Sequence, residues 1–145
     1  KMFRLENLFL EINNIKDVSF LKNLMNLKKL SLSCNKIKDI YDIKNISSLE
    51  YLWIDDNKLR NVRSLKNLTK LKYIDVSNNK ITTLEGIQYI KSLKTIHFYS
   101  NPLDTYSIYI QRFINNNKIL DVHNSNIQNT VQENAKMKVE KNTSR

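Results

Sequence analysis

The chain has 145 residues, 41% of them hydrophobic, and its 24 Lys and Arg against 14 Asp and Glu give a formal net charge of +10. That length suits one domain, and no apolar run reaches the roughly 20 residues that a membrane-crossing helix needs. A lone cysteine, Cys34, excludes a disulfide framework within the chain and favours a reducing compartment, so the cytoplasm or nucleus is the expected location.

Apolar residues recur in a fixed pattern from the start. Leu5, Leu8, Leu10, Ile15, Val18, Leu21 and Leu24 surround Asn13, and the pattern repeats from Leu27, from Leu49 and from Leu71, each time after 22 residues. Every apolar slot of these four copies holds Leu, Ile or Val. Self-similarity at a fixed period marks a solenoid, in which each turn buries its apolar slots against its neighbours. Met2 fits the last apolar slot of a preceding copy, so the sequence is expected to begin inside a longer solenoid. In each copy the period-two step Leu-x-Leu predicts a short strand, and the apolar residues spaced by three predict a tight helical or 3₁₀ return.

A fifth copy, Leu93, Ile96, Phe98, Asn101 and Leu103, departs from the pattern after Asn101-Pro102. Asp104 or Thr105 can cap a helix. Tyr106, Tyr109, Ile110, Phe113 and Ile114 then give it an amphipathic face. Asn115 to Asn117 end it, and Leu120-Asp121-Val122 predicts a last partial strand. From His123 the chain is polar, and too little apolar surface is available to offset ordering, so disorder is expected. The divisions are therefore repeats over 1–100, a cap over 101–122 and a tail over 123–145.

The repeat, LxxLxLxxNxIxxIxxLxxLxx, is identified as a leucine-rich repeat. It resembles the short 22-residue class typified by the nuclear regulatory subunit of protein phosphatase 1, which axonemal dynein light chains, acidic nuclear phosphoproteins and a spliceosomal protein share. Asn101, Pro102, Tyr109, Phe113, Ile114, Leu120 and Asp121 match that family's C-terminal cap, whereas Ile110 stands where Arg is usual. The resemblance implies an α/β solenoid: a curved parallel β-sheet on the concave side, 3₁₀ or short helical returns on the convex side and a helical cap. It also implies non-catalytic binding of a protein through concave aromatic and acidic residues.

Stacked parallel strands are about 4.8 Å apart, so residues 22 apart form columns. Asn13, Asn35, Asn57, Asn79 and Asn101 form one, expected to be a ladder of amides that satisfies the backbone of neighbouring turns. The residues beside the inward leucines face the concave side. They bring together Phe9, Tyr51, Trp53, Asp55, Tyr73, Asp75, His97 and Tyr99, a candidate hot spot because Trp and Tyr offer large contact area at little rotamer entropy. The alternative is that these rings merely pair across strands. A second surface is basic: Lys36, Lys58 and Lys80 in one column, Lys16, Lys38 and Arg60 in another, with Lys22, Lys44 and Lys66 on the return side. Such stripes attract nucleic acid, acidic tubulin tails or an acidic membrane surface. No aromatics interleave them, so nucleic acid ranks below protein.

Two partner readings follow. One is a phosphatase catalytic subunit on the concave face. The other is a ciliary or axonemal adaptor touching tubulin or dynein, or a ribonucleoprotein component, through the basic flank. No motif for a nucleophile, a phosphate loop, a metal or a cofactor is present, so no enzyme is expected. Cys34 is expected to be a partly buried, inert thiol.

Overall fold

The computed structural model describes residues 4–103 and, as backbone only, residues 121–123. Each Leu-x-Leu step yields a three-residue strand: β1 (Asn7–Phe9), β2 (Lys29–Ser31), β3 (Tyr51–Trp53), β4 (Tyr73–Asp75) and β5 (Thr95–His97). A sixth strand, β6 (Asp121–His123), lies one residue later than the expected Leu120–Val122. The strands form one parallel sheet in chain order, with Leu8, Leu30, Leu52, Ile74 and Ile96 in register across it. Val122 continues that row beside Ile96. The expected cap helix and polar tail lie outside the described residues.

After each of the first four strands the chain returns on the convex side through a single 3₁₀ segment: Ser19–Leu21, Tyr41–Asn45, Arg63–Asn67 and Ile87–Tyr89. Apolar residues spaced by three suit this geometry, because side chains at i and i+3 eclipse and point one way. Leu21, Ile43, Leu65 and Ile87 are accordingly buried, and together with the strand leucines and isoleucines they form one continuous core.

The asparagine ladder sews that core together. Asn57 donates from Nδ2 to the Leu32 carbonyl of the preceding turn at 2.9 Å, while its Oδ1 accepts from the Ile37 N–H at 3.0 Å. Asn35 repeats the arrangement one turn earlier, and Asn79 and Asn101 repeat it one and two turns later. Asn13 does not. It is exposed, and among the described residues its amide reaches only carbonyls of its own turn, Leu10 and Glu11.

The residue before each ladder asparagine adopts a left-handed backbone: Ile12, Cys34, Asp56, Asn78 and Ser100, all with φ between 52° and 55°. Before Asn35, Asn57 and Asn79 this bend aims the next side chain into the core. Asn and Asp tolerate it, whereas Ile and Cys are strained by it. Cys34 is consequently exposed at a turn rather than partly buried. Its thiol titrates above the ordinary value, through desolvation first and then through the carboxylates of Asp56 and Asp55, which makes it a poorer nucleophile. Gly86, the chain's single glycine, has φ 106°, and a Cβ there would meet the Arg63 Cα at 3.0 Å. It starts the shortened return Ile87–Tyr89 by letting the chain pass close over the turn below.

Candidate protein-binding site

Strand alternation fixes which side chains face the concave surface. At β3, β4 and β5 the central residue is buried and its two neighbours are half-buried. Parallel register then sets Tyr51 beside Tyr73, Trp53 beside Asp75 and Asp75 beside His97. The rings interleave into one continuous row. Tyr51 stacks on Trp53 with centroids 6.0 Å apart, Trp53 meets Tyr73 at 5.4 Å, and Tyr73 meets His97 at 5.4 Å. Each such aromatic contact adds about 0.5–1.5 kcal/mol beyond area burial.

Two expected members make no ring contact with this row, although Tyr99 acts electrostatically on the Tyr73 phenol. Phe9 is 55% exposed on β1, and Ser31 separates it from Trp53 in their column. Tyr99 is exposed beyond the end of β5. Lys29 joins instead: its Nζ lies 5.5 Å from the Tyr51 centroid, extending the row to β2. Its place one repeat before Tyr51 was readable in the sequence, but the contact depends on a side-chain conformation that repeat spacing does not dictate.

The acidic residues flank the row. Asp75 Oδ2 lies 3.6 Å from His97 Nδ1, an ion pair whenever the imidazole is protonated, and Asp75 Oδ1 accepts from the Ser77 N–H at 2.9 Å. Asp55 accepts a short hydrogen bond from the Ser33 hydroxyl. Burial holds the Asp55 carboxyl above its ordinary range; the Ser33 bond opposes this, and Asp75 adds to it. Burial, with Asp75 close by, likewise raises the Tyr73 phenol. The face therefore offers aromatic rings beside two carboxylates, neither of which has a Lys or Arg ion-pair partner among the described residues.

Lys16, Lys36, Lys38, Lys58, Arg60 and Lys80 are all exposed. Among the described residues no three or more His, Cys, Asp or Glu side chains cluster to hold a metal ion, and no helix is long and apolar enough to cross a membrane.

A model of the family described as leucine-rich repeats (2 copies) matches residues 4–45 and 47–89, more than half of the sequence. The chain belongs to the leucine-rich repeat family. Internalin C2 of Listeria monocytogenes is 29% identical with a TM-score of 0.67, over 68% of this chain and 44% of that one. A second internalin of the same organism, inlF, is 26% identical with a TM-score of 0.67, over 81% of this chain and 34% of its own. A leucine-rich repeat protein of Leptospira interrogans is 26% identical with a TM-score of 0.69, over 75% and 29%. The chain thus spans less than half the length of these solved structures. No curated protein matches it. Leucine-rich repeat domains are protein-interaction scaffolds, and the fold is typically non-enzymatic.

Proposed function

We propose that the chain is a non-catalytic binding module that captures a protein partner on its concave face. The observation that carries this reading is the row Tyr51–Trp53–Tyr73–His97, fixed at strand pitch on a rigid sheet and flanked by Asp55 and Asp75. The rings contact one another across strands, yet they stay half-exposed while the core beneath them is already closed by Leu52, Ile74 and Ile96, which leaves their outer faces open to a partner. Preorganised rings lose little entropy on docking, which is how interface anchors gain affinity.

The shared 22-residue repeat supports a phosphatase catalytic subunit as the partner, met in the cytoplasm or nucleus. The test is capture from lysate with the wild type and a Tyr51→Ala/Trp53→Ala/Tyr73→Ala variant, after thermal melting shows that the variant folds. Loss of high-salt-resistant partners supports the concave site, and a phosphatase catalytic subunit among them supports the finer reading. Retention of every partner by the folded variant rules out the concave hot spot.

A further inference from the structure

The solenoid has two rims, one at each end of its strands, and they handle charge in opposite ways. On the rim that precedes the strands, one column reads Glu6, Lys28, Glu50, Lys72 and Lys94. Signs alternate over its first four places, and the neighbours pair: Lys28 Nζ to Glu6 at 2.9 Å and Lys72 Nζ to Glu50 at 2.6 Å. The Lys72 hydrogen bond holds the Glu50 carboxyl below its ordinary range.

On the rim that follows the strands, the column reads Lys36, Lys58 and Lys80. Its backbone is as regular: the Lys36, Lys58 and Lys80 N–H groups donate to Ile15, Ile37 and Leu59 at 2.9, 2.9 and 2.8 Å. The lysines are thus held at the pitch of the sheet, about 4.8 Å. Beside them, Lys38 and Arg60 lie two residues on from Lys36 and Lys58, with Ile37 and Leu59 buried between, so each pair points outward together. Lys16 extends this second column by one turn.

No carboxylate forms an ion pair with any of these six cations among the described residues. Among the nearest acids in sequence, Asp17 Oδ1 accepts from the Ser19 N–H and Asp39 Oδ1 from the Tyr41 N–H, while Asp56, two residues before Lys58, accepts from the Asn78 side chain. The first rim shows that this repeat accommodates alternating charge. The second stacks like charge, which repels unless something neutralises it.

We propose that this second rim, Lys16, Lys36, Lys38, Lys58, Arg60 and Lys80, is a docking track for an extended acidic peptide, a site separate from the concave aromatic face. A peptide fits better than a single-stranded nucleic acid, because no aromatic side chain interleaves the track to stack a base. A flexible run of Glu and Asp can lay carboxylates against both columns at once.

The experiment is fluorescence anisotropy of the full chain with a labelled peptide of ten glutamates, and separately with a labelled single-stranded RNA of ten nucleotides. The variants are Lys36→Glu/Lys58→Glu/Lys80→Glu on the rim and Lys22→Glu/Lys44→Glu/Lys66→Glu on the convex side, which change net charge equally. Circular dichroism confirms that each folds, and Lys36→Gln/Lys58→Gln/Lys80→Gln provides a milder rim change. The glutamate peptide is expected to bind the wild type and to weaken about tenfold or more when salt shortens the screening length from about 10 Å to about 3 Å. The rim variants lose that binding, while the convex variant keeps it within about threefold, as expected when only screened long-range charge is altered. Equal losses in the rim and convex variants, no binding of the glutamate peptide, or preference for the RNA each overturn the proposal.

Discussion

The first described turn and the two central turns carry the same slots with different physical meanings. Leu52, Ile54, Leu59, Ile74, Val76 and Ile81 are fully buried, because each has a turn on both sides. Leu5, Leu8, Leu10 and Ile15 hold the same places in the first described turn but are only partly buried against the core among the described residues. In a solenoid a residue's contribution depends on its position in the stack as much as on its identity. Substitution of the same slot in two turns therefore separates intrinsic from neighbour terms.

The largest contrast is expected in the core. Leu52→Ala leaves a cavity that two flanking turns cannot collapse, at about 2–5 kcal/mol. Leu8→Ala, already part-exposed, should cost under about 2 kcal/mol. Denaturant midpoints at unchanged slope would measure both. Equal losses would mean that burial by a second neighbour contributes nothing.

The ladder gives the next contrast. Asn57→Ala leaves the buried Ile37 N–H without its side-chain partner, at about 1–3 kcal/mol, whereas the Leu32 carbonyl keeps its bond from Asn35 Nδ2. Asn13→Ala removes bonds to two carbonyls on an exposed turn and should cost less than about 1 kcal/mol. Thermal melts of the pair would check this, and an Asn13 effect as large as that of Asn57 would sink the cross-turn account.

Smaller still, and of opposite sign, is relief of backbone strain. Asn78 and Cys34 occupy the same left-handed slot two turns apart. Cys34→Asn should stabilise by about 0.5–1 kcal/mol, since Asn tolerates that conformation and Cys does not. An unchanged denaturant midpoint would show that the turn already absorbs the strain.

The repeat, the parallel sheet, the buried slots and four of the five ladder positions were legible in the sequence, because a 22-residue period is a strong long-range signal tied directly to stacking. The left-handed slot was hidden because Ile12, Cys34 and Ser100 are not residue types that announce it, and only the shared spacing could have exposed it. Gly86 was equally opaque: its need comes from Arg63, a residue 23 positions away. At the candidate site, the columns of Tyr51, Trp53, Tyr73, Asp75 and His97 followed from alternation. Their fusion into one row, the loss of Phe9 and Tyr99 from it and the gain of Lys29 depend on ring orientation, which period alone does not fix.

The smallest effect compares two carboxylates that shift in opposite directions, Glu50 on the paired rim and Asp55 on the concave face. Glu50 titrates below its ordinary range because of the Lys72 bond, so its contribution to stability is present at neutral pH and lost as pH falls through its folded value. Asp55 titrates above its ordinary range because it is desolvated, so the fold loses stability as pH rises from the ordinary carboxylate value through the raised one. Asp55→Asn should therefore raise the melting temperature slightly at pH 7 and not at about pH 3, where both states are protonated. Glu50→Gln should lower it slightly at pH 7, with the difference vanishing in acid. Differences between variant and wild type at each pH isolate these groups from the other titrating carboxylates. If Asp55→Asn stabilises the fold yet weakens capture of the concave partner, the carboxylate is kept at the expense of stability, as expected of a binding residue and not of a structural one.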